Sequence, residues 1–337
     1  MDFHLTNEQQ MLRKMYREFA ETEVKPLAEE LDEEERFPME TVEKMGKLGM
    51  MGIYFPKKYG GAGGDVLSYA MCVEELSKVC GTTGVIISAH TSLCCAPIYE
   101  NGTEEQKKKY LPMLTKGGVL GGMGITEPNA GSDASKTQTT AVLEGDHYVM
   151  NGSKIFITNG YVADVFVVFA MTDKSKGNHG ISAFIVEKDF PGFSQGKHEK
   201  KMGIRGSSTY ELIFTDCRIP KENLLGAEGK GFGIAMHTLD GGRIGIAAQA
   251  LGLAEGALNN TIAYVKERKQ FGRAIGAFQN TQFQLADMAT KVECAQLLVY
   301  KAAMAKATQS VYSVEAAKAK LYAAEVAMEV TTKAVQL

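Results

Sequence analysis

Apolar positions recur every three or four residues through the first third of the chain, shorten to alternating runs in the middle, and return to helical spacing after Gly226. Thr6 and Gln9 have the spacing of a capping box, and Leu12, Met15 and Phe19 follow at intervals of three and four, which predicts a helix with one buried stripe. Thr103 and Gln106 repeat the device ahead of Leu111 and Leu114. Two more helices are expected, over residues 65–78 and 83–100. The stretch YGGAGGD before them reads as a loop, because its glycines do not continue as GxGxxG.

From about Leu120 to Asp216 the pattern is that of strands. HYVMNGSKIFITNG holds two Asn-Gly pairs that read as turns, VFVVFAM follows, ISAFIVEK sets Ile181, Ala183 and Ile185 against Ser182, Phe184 and Val186, and ELIFTDCRIP closes the set. Strands without intervening helices predict a mostly antiparallel β domain. Beyond it, three faces recur: Leu251, Leu258, Ile262 and Val265; Leu285, Met288, Val292, Ala295, Val299 and Ala302; and Ala317, Leu321, Ala324, Met328, Thr331 and Val335. Three amphipathic helices imply part of a bundle. The last runs into AVQL with no glycine, asparagine or proline to stop it, so the bundle is expected to be incomplete. The expected fold class is α+β and multi-domain: an N-terminal α-helical domain over 1–118, an antiparallel β domain over 119–226 and a helical bundle over 227–337.

Composition narrows the function. The 337 residues suffice for two or three domains, and 45% hydrophobic with 23% charged residues excludes disorder. A net charge of -3 gives no reason to expect nucleic acid. No apolar run is long enough to span a membrane, and MDFHLTNEQQ lacks the marks of a secretory signal, so a cytoplasmic location is the default. The six cysteines form no CxxC pair and no zinc pattern, so no metal is expected; Cys94 and Cys95 read as buried thiols.

The segment GITEPNAGSDAS, Gly124 to Ser135, stands where helices give way to strands. It lacks the GK[ST] of a phosphate loop, and no GxGxxG follows a strand. It offers backbone N–H groups, the hydroxyls of Thr126, Ser132 and Ser135, and glycines that permit close approach. Alone, it fits either a ligand surface or an inter-domain turn held by its own Asn, Ser and Asp.

Four segments read in order, GITEPNAGSD, KIFITNG, LDGGR and ERKQFG, change this. Together they resemble the acyl-CoA dehydrogenase family over essentially the whole chain, with the closest likeness to its bacterial short-chain, butyryl-CoA members. The resemblance implies FAD as cofactor, an acyl-CoA substrate, electron-transferring flavoprotein as partner and a homotetramer. It implies that Met123, Gly124, Ile125, Thr126, Gly131 and Ser132 wrap the flavin, with Ser132 also reaching CoA. Phe156, Ile157 and Thr158 would make the second flavin contact, Phe156 standing where many relatives carry tryptophan. Leu239, Asp240 and Arg243 would meet the acyl-CoA, and Arg268, Phe271 and Gln279 a neighbouring subunit's FAD. Each has a plainer reading: Phe156 and Thr158 as one face of a strand, Asp240 and Arg243 as a helical ion pair, and Arg268 as a solvated cation.

The implied reaction is α,β-dehydrogenation of a short acyl-CoA to the trans-2-enoyl-CoA, or its reverse. In the family, the glutamate that acts as base lies beyond the counterpart of Leu337, and some relatives place it at the counterpart of Gly242. No catalytic residue is therefore assigned, and the chain is expected to be carboxy-terminally truncated and unable to turn over. The alternatives are a non-catalytic flavin or acyl-CoA-binding fragment and an acyl-CoA oxidase.

Overall fold

The computed structural model describes residues 4–337; Met1, Asp2 and Phe3, which open the stretch MDFHLTNEQQ, lie outside the described residues. The helices are α1 (Asn7–Phe19), α2 (Ala28–Glu33), α3 (Met39–Lys47), α4 (Val66–Ser77), α5 (Gly81–Ala89), α6 (Ala96–Asn101), α7 (Glu104–Thr115), α8 (Gly231–Glu267), α9 (Gln279–Thr308) and α10 (Ser313–Gln336). The chain forms two compact units. One takes the residues up to Glu29 with Asp65–Val85 and Arg243–Leu337; the other takes Glu30–Gly64 and Ile86–Gly242.

In the first unit, both polar groups of the expected capping box at Thr6 and Gln9 are engaged, and Asp65 caps α4 by accepting from the Ser68 N–H at 2.6 Å. Arg13 of α1 ties itself to Glu74 at 2.9 Å and Glu75 at 2.7 Å on α4, and Tyr300 of α9 donates to Glu74 at 2.8 Å. Lys78 joins Glu75 at 2.9 Å to Glu255 of α8 at 2.7 Å. Burial would lift Glu75, but Arg17, Lys78 and Arg13 outweigh it and hold the carboxyl at about 2. Burial raises Glu74 in spite of Lys78 and Arg13.

The faces expected on α8 and α9 are the buried ones: Leu251, Leu258 and Val265 on the first, and Met288, Val292, Ala295, Val299 and Ala302 on the second. The face expected on α10 is not. Against α9 the helix buries Ala316, Ala319, Ala323, Val326 and Val330, whereas Leu321, Met328 and Val335 are 61%, 70% and 91% exposed. Both stripes are apolar, and the small side chains of the first let two helix axes approach closely. Periodicity weights the larger side chains and so selected the outward stripe.

The second unit is built on an eight-stranded sheet: β1 (Gly121–Gly124), β2 (Thr140–Glu144), β3 (His147–Thr158), β4 (Val165–Met171), β5 (Ile181–Glu187), β6 (Phe193–His198), β7 (Thr209–Pro220) and β8 (Leu224–Leu225). The order is β6-β7-β3-β2-β4-β5-β8, with β1 parallel to β4. β4 is buried on both faces, and β5 on both until Glu187, which explains the continuous apolar run VFVVFAM. The Asn151-Gly152 pair is not a turn. It lies inside one continuous strand, where the register against β7 slips between Met150 and Gly152. A Cβ at Gly152 would stand 2.6 Å from the Thr139 hydroxyl oxygen, so glycine serves a bulge and a close approach there. Asn159-Gly160 does turn, with Asn159 at φ 62°. No helix among the described residues is long and apolar enough to cross a membrane.

Candidate functional site

The glycine-bearing loop leaves β1 with Met123 and Gly124 buried and Ile125 and Thr126 half-buried. Glu127 and Ala130 then close a tight turn through two backbone hydrogen bonds, of 3.1 and 3.0 Å, and Gly131 and Ser132 emerge exposed. The turn is held from beneath by the Glu127 carboxylate. It accepts from the Lys154 ammonium at 2.6 Å, the Gln138 N–H at 2.6 Å, the Thr139 N–H at 3.1 Å and the Thr137 hydroxyl. Lys154 rises from β3, fully buried, and also donates to Thr137 at 2.8 Å. Burial would raise Glu127, but Lys154 and the hydrogen bonds hold it at about 2. Burial lowers Lys154 to about 8 against the pull of Glu127, so the pair is ionised at neutral pH.

The second segment closes over the first. The register of β3 on β7 slips again between Lys154 and Ile157, and Phe156 sits in the bulge at φ 60°, 58% exposed. An aromatic residue held at positive φ costs about 1–3 kcal/mol and persists where something requires that aim. Ile157 turns into the core and Thr158 is half-buried. The Ile155 N–H donates to the Thr126 carbonyl at 2.9 Å, and a Cβ at Gly122 would lie 3.1 Å from the Thr158 carbonyl oxygen. The fold thus places Met123–Ser132 beside Phe156–Thr158, although some thirty residues separate them in sequence.

The surface they form fits a flat, polar-edged ring system: Phe156 is exposed, and Thr126 and Thr158 are half-buried beside it. At Gly131, whose φ is not positive, a Cβ would meet no protein atom within 4 Å, so neither backbone nor packing in this chain demands glycine. Free space at a glycine on the rim suits a ligand that approaches the backbone.

On α8, Leu239 is half-buried and packs on the same core as Ile125 and Leu93, with Asp240 half-buried beside it. A Cβ at Gly242 would stand 2.8 Å from Leu93 Cδ2. Arg243 follows, half-buried, at the start of the first unit's share of the helix. Arg268, Phe271 and Gln279 also belong to that unit. They lie around a small hairpin of β9 (Lys269–Gln270) and β10 (Arg273–Ala274), and all three are exposed. Phe271 and Gly272 form its two-residue turn at φ 50° and 78°, with the phenylalanine 93% exposed.

Four supporting residues escaped the sequence reading. Glu127 and Lys154 lay inside the quoted segments, and the one available signal was parity: Lys154 shares the inward positions of β3 with Tyr148 and Met150. Asn159 and His90 gave no periodic signal, because each acts through one hydrogen-bonding atom.

The family profiles described as acyl-CoA dehydrogenase N-terminal, middle and C-terminal domains match residues 6–118, 122–217 and 229–337. The chain is 68% identical over 337 residues to the short-chain specific acyl-CoA dehydrogenase of Clostridium acetobutylicum, an alignment covering 100% of this chain and 89% of the relative. It superposes on butyryl-CoA dehydrogenase of Megasphaera elsdenii with TM-score 0.98 at 54% identity, covering 100% of this chain and 89% of that one. It matches, with TM-score 0.99 at 61% identity, a chain from a structural study of the electron transferring flavoprotein of Acidaminococcus fermentans, covering 100% and 88%. Three profile matches that account for most of the chain, together with these identities, establish that it belongs to the acyl-CoA dehydrogenase family.

Proposed function

We propose that the chain holds short acyl-CoA thioesters against FAD for the interconversion of a butyryl-CoA-like substrate and its trans-2-enoyl-CoA, with electrons exchanged with electron-transferring flavoprotein, and that residues 4–337 by themselves supply this binding without the base of the reaction. The observation that carries this reading is the joining of the loop and the bulged strand into one surface in the second unit. Met123, Gly124, Ile125, Thr126, Gly131 and Ser132 cradle the flavin from the loop, and Phe156, Ile157 and Thr158 from the strand. FAD supplies the acceptor for the hydride that leaves the β-carbon. The chain supplies placement: Phe156 offers a ring to pack on, the hydroxyls of Thr126 and Thr158 offer hydrogen bonds to a polar ring edge, and the Glu127–Lys154 pair holds the loop still. Ser132, Leu239, Asp240 and Arg243 take the acyl-CoA.

Removal of the α-proton needs a carboxylate close to the substrate. Position 242 of α8 carries none, and we assign the role to no residue among 4–337. The three-domain division at 118 and 226 remains part of this proposal, supported by family matches over 6–118, 122–217 and 229–337. A homotetramer is supported by the outward apolar stripe of α10 and by the exposed Arg268, Phe271 and Gln279, which would serve a neighbouring copy's FAD. A cytoplasmic location fits the composition.

The test is anaerobic titration of the FAD-loaded chain with butyryl-CoA. The expected result is a perturbation of the flavin's visible bands by the thioester without bleaching. No perturbation at any concentration overturns the reading, and rapid bleaching shows that a carboxylate within these residues acts as base.

A further inference from the structure

The segment His90–Cys95 joins α5 to α6 as a π-helix, the wide turn that recurs at functional sites. It presses on the first residue of β1. A Cβ at Gly121 would stand 2.5 Å from both the Cβ and the Sγ of Cys94, so only glycine allows the contact. At that closeness both polar groups of Gly121 are met by side chains. Its N–H donates to His90 Nδ1 at 3.0 Å, and its carbonyl accepts from Asn159 Nδ2 at 3.2 Å. Asn159 Nδ2 also reaches the Ile86 carbonyl at 3.3 Å, and the Cys94 thiol reaches the carbonyl of Val165, the register partner of Gly121 on β4.

His90 is fully buried, and burial lowers its pKa to about 4, so the ring is neutral near pH 7. A neutral ring that accepts at Nδ1 carries its proton on Nε2, which faces Cys95 Sγ at 3.4 Å. Cys94 and Cys95 are both pushed up by burial and stay uncharged beside it.

We propose that His90 is a positioning residue for the flavin site: with Asn159 it clamps Gly121 and thereby holds the two flavin-facing segments in one register. Gly121 stands two residues before Met123, and Asn159 directly follows Thr158, so the clamp sets the spacing between the loop and the bulged strand. The inference rests on the reading that this surface holds FAD. Removing the acceptor leaves a buried N–H unpartnered, and β1 relieves it by shifting.

The experiment compares the parent with His90→Leu, His90→Asn and Asn159→Gly. The FAD dissociation constant is read by flavin fluorescence, the bound flavin's visible absorption and circular dichroism give its surroundings, and the melting temperature is taken without FAD. His90→Leu is expected to bind FAD about tenfold more weakly, equivalent to about 1.4 kcal/mol, with a changed visible spectrum. His90→Asn places an amide oxygen where Nδ1 stood and is expected to restore parental affinity and spectrum. A Leu variant with parental affinity and spectrum overturns the proposal, even if its melting temperature falls. Should that variant not fold, Asn159→Gly decides: it keeps the left-handed backbone, and parental affinity and spectrum there also overturn the clamp. A parent that binds no FAD at all overturns the functional reading instead.

Discussion

Glu127 shows how one buried charge can organise a site that it need not touch. Its carboxylate gathers three backbone or hydroxyl donors and one ammonium under the loop. Glu127→Gln keeps the shape but leaves Lys154 buried without its counter-charge, and is expected to cost about 3–5 kcal/mol in urea unfolding. Adding Lys154→Met should recover most of that loss; a double variant as unstable as the single one would mean that the hydrogen bonds, and not the unpaired lysine, carry the cost. Gly242 poses a packing question instead. In an open helix Gly→Ala gains about 1 kcal/mol, but here the new Cβ collides with Leu93, and such overpacking costs about 1–3 kcal/mol. Gly242→Ala should therefore be neutral or destabilising in the parent and stabilising in a Leu93→Ala background. Equal effects in both backgrounds, measured by thermal melting, would remove the proposed coupling.

Among the elements, the hairpin of β9 and β10 and the helix α10 carry features that their own fold does not use. A two-residue turn with both φ values positive favours Asn-Gly, yet this one holds Phe271-Gly272. Phe271→Asn is expected to stabilise the hairpin by about 0.5–1 kcal/mol while weakening FAD retention in the assembled protein. Unchanged retention after gel filtration would leave the exposed ring without the proposed task. Along α10, Val314, Leu321, Met328 and Val335 recur every seven residues on the outward side, the repeat of a helix seam. Leu321→Glu with Met328→Glu should leave helicity intact and shift light-scattering mass toward smaller species. An unchanged mass would remove the proposed role of this stripe in assembly.

For the whole molecule, pH dependence should expose the two buried ionic networks. Glu75 in one unit and Glu127 in the other are both held at about 2, below the ordinary value of 4.5. Their folded pKa values are depressed, so their contribution is complete above 4.5 and is lost as pH falls toward 2. Glu74 runs the other way: its raised value gives a contribution present below 4.5 and lost as pH climbs through the folded pKa. The urea midpoint is expected to fall steeply on the acid side of 4.5, and less steeply in Glu127→Gln. A variant with the parent's acid slope would place the sensitivity in the other network.

The sequence by itself determined the local structure and the family. Capping boxes, helical spacing and β-branched runs depend on neighbours within a few residues, so Thr6, Thr103, α9 and β5 were legible. So were the loop and strand segments, whose residue types are distinctive. Contacts between distant residues were decided only by tertiary structure. Whether Asn151-Gly152 turns or bulges depends on Thr139 packing beside it. Which of two apolar stripes on α10 is buried depends on how closely small side chains let α9 approach. The pairing of Glu127 with Lys154 and the grip of His90 and Asn159 on Gly121 span 27 to 38 residues of sequence. A hydrogen bond formed by one atom of one side chain leaves no periodic trace, and folding alone brings its partners to hydrogen-bonding distance.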